Sequence, residues 1–327
     1  MRLRNKLLSV AASALFITPT FAFANDTAST ESAPASTGSP VAVFDSFKTS
    51  VANGQAGALW NHLPKSWQAN LTEMTQMVGQ KMPAATWDKS FSITNRLGKL
   101  LEGKSDIFAG MLAAQMGPDQ NVEDINSSLK VVGKLFGVIG SSDFATVEKL
   151  KTIDLASTVN TTGSELLKMA LNIKALNNQI AKDTGNKAKS LKEAMLSMKA
   201  EVVSQEGDSA KLKIISPDGK EDIQEVVKVE GKWMFKEMVD SYNAGAADFK
   251  AQLSTALDTM PENQMQVMMA MGMVETMLTS FEAADTPEKM QQAIQSVAPM
   301  LGGFLMPMST GPSGVVAEPI VEEIEEE

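Results

Sequence analysis

"AEVVSQEGDSAKLKIISPDGKEDIQEVVKVEGKWMFKEM", residues 200–238, is where the hydrophobic period of the chain changes. Apolar and polar residues alternate here, the signature of a half-buried strand. Ala210, Leu212 and Ile214 fall on one face, as do Val227 with Val229 and Trp233 with Phe235. Gly207-Asp208, Asp218-Gly219 and Gly231-Lys232 supply turn pairs between the runs. The pattern predicts an antiparallel meander of three to four strands within 199–238.

On both sides of this stretch the period is helical. Val43, Phe44, Phe47 and Val51 mark one helix, which Asn53-Gly54 stops. Trp67, Leu71, Met74 and Val78 mark a second, entered through Pro64. Trp87, Phe91 and Leu97 to Leu101 mark a third, begun by Pro83 and ended near Gly103. Val122, Ile125, Leu129, Val132, Phe136 and Ile139 give a fourth. Shorter helices are expected after a cap at Ser142, over Leu166 to Ile180, and over Leu191 to Met198. After the strands, helical segments are expected near 244–258, 262–282 and 286–304. Helices flanking one small antiparallel sheet define an α+β fold with a predominantly helical body. The body spans 40–308, divided into helices over 40–198, strands over 199–238 and methionine-rich helices over 241–308.

The ends point to an address. Arg2, Arg4 and Lys6 precede an apolar run from Leu7 to Ile17, and Ala22-Phe23-Ala24 supplies the small residues of a cleavage site. Met1 to Ala24 therefore reads as a signal peptide, and the protein as exported, periplasmic or secreted. The run is shorter than the roughly 20 residues a membrane span requires, and no later stretch is long and uncharged enough. Residues 25–39 are small and polar and read as a flexible leader. Residues 309–327 read as a disordered acidic tail carrying Glu318, Glu322, Glu323, Glu325, Glu326 and Glu327.

Formal charge is −10, and loss of the three cations of the signal peptide would make it more negative still. That balance disfavours nucleic acid, whose phosphates reward basic surfaces. The chain has no cysteine, so its stability rests on burial. With His62 as the single histidine, zinc sites and Ser-His or Cys-His nucleophiles are nearly excluded. No residue is assigned a catalytic, cofactor-binding or metal-binding role. Asn70, Asn126 and Asn160 begin glycosylation acceptor triplets, which matter only in a eukaryotic secretory pathway. Trp60, Trp67 and Trp87 could line a ligand groove, but their helical spacing with apolar partners favours the core.

The densest chemistry is methionine: half of the 22 lie between Met260 and Met308. Met265, Met269, Met273 and Met277 advance by about 40° each on a helix, forming a slanted ladder. Core filling is the reading their propensity favours, followed by an adaptable apolar contact surface. A Cu(I) site ranks third, because it needs thioethers converging on one point and the ladder spreads them along the axis. Ala270, Val274, Leu278 and Phe281 form the apolar face proper. "MLGGFLMPM", 300–308, touches a membrane or partner or closes the core.

Two separated pieces resemble the nuclear-transport-factor-2-like superfamily of cone-shaped α+β domains. "VAVFDSFKTSVANGQAGALWNHLP" is similar to its first helices, and "GDSAKLKI" with "EVVKVEGKWMFKEM" to its curved sheet, including its recurring apolar strand with a Gly-Lys-Trp ending. The resemblance implies a cone that can hold a small apolar ligand or a catalytic acid–base pair, and it carries over no functional residue. The expectation is an exported, non-enzymatic protein without a cofactor that binds an apolar small molecule or an envelope protein. The alternatives are periplasmic copper handling through methionine thioethers and a carboxylate-dependent hydrolase or isomerase in a cone-shaped pocket. Oligomeric state is left open.

Overall fold

The computed structural model describes residues 38–116 and 121–296. The stretches read above as signal peptide and acidic tail, most of the one read as leader, and segment 300–308 lie outside the described residues. Among the described residues the order is α1 (Pro40–Ala52), α2 (Ala56–His62), α3 (Lys65–Lys81), α4 (Ala84–Gly103), α5 (Ser105–Met116), α6 (Val122–Ser141), α7 (Val147–Lys151) and α8 (Leu155–Thr158). A π turn (Val159–Gly163), α9 (Ser164–Leu171), α10 (Lys174–Asp183) and α11 (Leu191–Ser197) lead into the sheet. It comprises β1 (Lys199–Glu206), β2 (Ser209–Ile215), β3 (Glu221–Val229) and β4 (Lys232–Phe235), followed by α12 (Lys236–Asn243) and α13 (Ala246–Ala283). A last helix is described over 287–296. The architecture is α+β, a helical body with one four-stranded antiparallel sheet in the order β1-β2-β3-β4.

The sheet register explains which alternation matters. Ala210 pairs with Val226, Val226 with Phe235 and Lys228 with Trp233, so Ala210, Leu212, Ile214, Val226 and Trp233 share one face. All five are buried, and each large side chain removed from water contributes roughly 1.5–3 kcal/mol. Met234 points to the other face yet is only 6% exposed, so the sheet is covered on both sides at its β4 end. Double coverage is why the alternation blurs through "VVKVEGKWMF". The β3–β4 turn is Glu230-Gly231 rather than Gly231-Lys232; both residues have positive φ (49° and 76°), the backbone of a two-residue hairpin turn. Lys232 is already in β4.

Several boundaries differ from the sequence reading. Ser142 does not cap the following helix. It ends α6, its hydroxyl donating to Ile139 O (2.8 Å), and Thr146 caps α7 instead. The segment from Leu166 to Ile180 is two helices broken at Asn172-Ile173, where Asn177 Nδ2 donates to Leu171 O (3.0 Å). α5 carries too few polar residues for a period to show. Strands end at Phe235, and α12 takes over. The largest difference is α13, which continues through Pro261 for 38 residues.

Proline removes one hydrogen bond and crowds the preceding turn, so α13 must be held from outside. Lys250–Glu73 (2.7 Å) and Lys81–Asp258 (2.9 Å) fix its first half to α3; Lys89–Glu275 (2.7 Å) and Arg96–Glu282 (2.8 Å) fix its second half to α4. Leu257 and Leu278 are buried on either side of the proline. α4 in turn crosses α6 at very short range. A Cβ on Gly98 would stand 2.7 Å from Gly133 O, and one on Gly133 would stand 2.7 Å from Gly98 O.

Candidate functional site

The ladder on α13 does not behave as uniform core. Met265 is 81% exposed and Met269 63%, whereas Met273 and Met277 are half-buried. The gradient follows from geometry: each step of four residues turns the side chain about 40°, so the ladder rotates from solvent at its N-terminal end towards α4 at its C-terminal end. Core packing therefore fails for Met265 and Met269 and holds in part for the other two. Leu278 of the apolar face is 2% exposed, and Ala270, Val274 and Phe281 are half-buried. The four salt bridges to α3 and α4 leave the stretch around Met265 and Met269 between them. What results is a pair of flexible thioether side chains, one turn apart, displayed on a helix anchored at both ends.

The hairpin from β3 to β4 meets the corner between α2 and α3. Pro64 precedes α3 and offers no side-chain cap. The carboxylate of Glu230 accepts from Lys65 N (2.6 Å) and Ser66 N (3.3 Å) in its place. Lys232 Nζ donates to Asn61 O (2.6 Å) and Leu63 O (2.7 Å) at the C-terminal end of α2. An anion at a helix start and a cation at a helix end both complement the helix dipole. Trp233 Nε1 donates to Gly38 O (3.1 Å), ahead of α1. The Glu-Gly-Lys-Trp run thus pins the first helices to the sheet. Burial, with Lys65 nearby, pulls the Lys232 ammonium below the usual lysine range; Glu230 pulls the other way.

His62 is half-buried beside this corner. Its Nε2 lies 3.1 Å from Ser46 Oγ, a nucleophile–base spacing that the sequence could not reveal because the two sit on different helices. Burial, and then the Lys232 cation, hold its pKa below the usual histidine value. The charged group acting on the ring is thus a cation, not the carboxylate that orients a catalytic histidine. Neither of the two best-formed concavities includes the pair. The larger, an open groove of about 460 Å³, runs between α3 and the start of α8 and is lined by Lys65, Gln68, Glu73 and Asp154 among others.

The tryptophans are structural. Trp60, Trp67 and Trp233 are buried, Trp67 stacks on Tyr242 at 3.9 Å between centroids, and Trp87 Nε1 donates to Phe144 O (2.7 Å). The three acceptor asparagines lie within helical segments. Asn70 Nδ2 donates to Tyr242 OH (2.8 Å), Asn126 Oδ1 is enclosed in α6, and Asn160 rests on Gly57. Among the described residues no group of three or more His, Cys, Asp or Glu side chains is gathered to hold a metal, and no helix is long and apolar enough to cross a membrane. Compared with known families, curated proteins and solved structures, the chain matches none.

Proposed function

We propose that the chain is an exported, non-enzymatic binding protein whose contact surface is the methionine face of α13, and that its ligand is an apolar segment of another envelope protein. The observation that carries the reading is the outward display of Met265 and Met269 on a helix clamped at both ends. Unbranched thioether chains adapt to irregular apolar partners at low cost, and large exposed apolar side chains grouped on one element mark interaction surfaces. A small apolar ligand draws less support, because the larger groove is open and bears charged side chains. The carboxylate alternative draws none from the sheet, whose helix-facing side is filled by Leu212, Ile214, Val226 and Trp233. The copper alternative rests on adjacent thioethers alone. For the likeness to cone-shaped domains, the support is that Lys232 bonds to the C-terminal end of α2 and Trp233 to the backbone just ahead of α1.

Fluorescence polarisation with a panel of amphipathic helical peptides tests this reading. Wild type is expected to bind a subset, and M265Q/M269Q to bind them at least about tenfold more weakly with an unchanged circular dichroism spectrum. Binding that ignores the double substitution removes α13 as the surface.

A further inference from the structure

Among the described residues the sheet ends on one side in β1, whose outer edge pairs with no other strand. β1 is the outer member of the order, and residues Glu201 to Glu206 are all exposed. Edge strands commonly carry charges or prolines at their centre that discourage pairing. β1 instead carries Val202 and Val203, 44% and 53% exposed. It also carries a bulge: Val202 opposes Leu212 and Ser204 opposes Lys211, which leaves Val203 unpaired.

The bulge resets the alternation by one residue. Ala200 and Val202 share the face of Ile214 and Leu212. Beyond the bulge Gln205, opposite Ala210, has that face; Lys199, Glu201, Ser204 and Glu206 have the other. Residues directly opposite in an antiparallel pair must share a face. Reading β1 against itself about a point between Val202 and Val203 satisfies that condition for its three outer pairs. Lys199 then meets Glu206, Ala200 meets Gln205, Glu201 meets Ser204, and the two valines meet at the centre. Each pair occurs twice, opposite charges close both ends, and no like charges are opposed. Without the bulge the same register would set side chains on opposite faces.

We infer that this edge takes a second copy of the chain, with β1 pairing antiparallel to β1 across a two-fold axis and joining the two sheets into one. An isologous contact requires a surface complementary to itself, and β1 has that property in charge, in face and in its apolar centre. The surface is distinct from the methionine face, and neither reading depends on the other.

Sedimentation velocity of the full chain over a micromolar concentration series tests the pairing. Wild type is expected to show a monomer–dimer equilibrium. Lys199→Glu or Glu206→Lys alone places like charges opposite each other twice per dimer and weakens it by about tenfold or more. The double reversal K199E/E206K restores the wild-type constant. Because the chain has no native cysteine, V202C/V203C is expected to form an intermolecular disulfide on oxidation, since paired strands lie within disulfide range. M265Q/M269Q is expected to leave the equilibrium unchanged. A chain monomeric at every concentration, a dimer indifferent to the single reversals, failure of the double reversal to rescue, or a dimer lost in M265Q/M269Q each overturns the inference.

Discussion

Removing the Glu230–Lys232 clamp tests whether the hairpin holds the helical corner. In Lys232→Met the ammonium bonds to Asn61 O and Leu63 O disappear. Leu63 O keeps Gln68 Nε2 at 2.9 Å, so Asn61 O is the carbonyl of the two that loses this clamp without that substitute. A bond to a charged group is worth about 1.5–3 kcal/mol in a buried setting. Burial already opposes this ammonium, and partial exposure screens it, so the expected loss is about 1 kcal/mol. Glu230→Ala strips the first turn of α3 of its external cap, which Pro64 cannot replace, with an expected loss of about 1–2 kcal/mol. Both groups hold one turn, so the double substitution should cost less than the two single losses added together. Urea unfolding followed by tryptophan fluorescence measures all three, with a lower midpoint and an unchanged slope. If both single variants stay within about 0.5 kcal/mol of wild type, the hairpin does not anchor the corner and the reasoning fails.

Two other predictions concern stability. His62 has its pKa lowered in the folded state by burial and by Lys232, so below the ordinary value of 6.5 the unfolded chain binds the extra proton and folding weakens as pH falls. The His62→Gln variant should therefore lose less stability than wild type between neutral and mildly acidic pH, read as the change in urea midpoint. At the α4–α6 crossing, Gly98→Ala drives a Cβ against Gly133 O and Gly137 N and should cost about 1–3 kcal/mol. Gly137→Ala meets nothing within 4 Å and should stabilise α6 by about 0.5–1 kcal/mol, both measured by thermal unfolding.

The strands were legible because a half-buried surface forces period two: Ala210, Leu212 and Ile214 announce it, and turn glycines bound it. The amphipathic helices α1, α3, α4 and α6 were legible for the same reason at period 3.6. Readings failed where tertiary contacts override local preference. Pro261 signals a break, yet ion pairs and buried leucines on both sides carry α13 through it. The exposure of Met265 and Met269 was not legible either, since a slanted methionine ladder is compatible with either side of a helix until its neighbours are placed. The contact between Ser46 and His62 joins two helices, and no local pattern encodes it.

The described residues divide by the kind of packing that holds them. One continuous core unites α1, α2 and α3 with α7 to α11 and the sheet, and it contains fully enclosed side chains such as Leu59, Leu150, Leu167, Leu191 and Leu212. The layer of α4, α5, α6 and α13 has far fewer: Leu100, Ala109, Phe249, Leu257 and Leu278 are buried outside that core, and most of its other large apolar side chains are half-exposed. The ion pairs that seat α13 are themselves partly exposed, and such pairs each contribute about 1 kcal/mol or less. Local stability follows buried apolar contact, so this layer opens more readily than the core. A surface built there can rearrange around an apolar segment while the sheet and its clamp stay fixed. On the proposed reading, a partner that covers Met265 and Met269 would bury apolar area in a layer that has few buried side chains of its own.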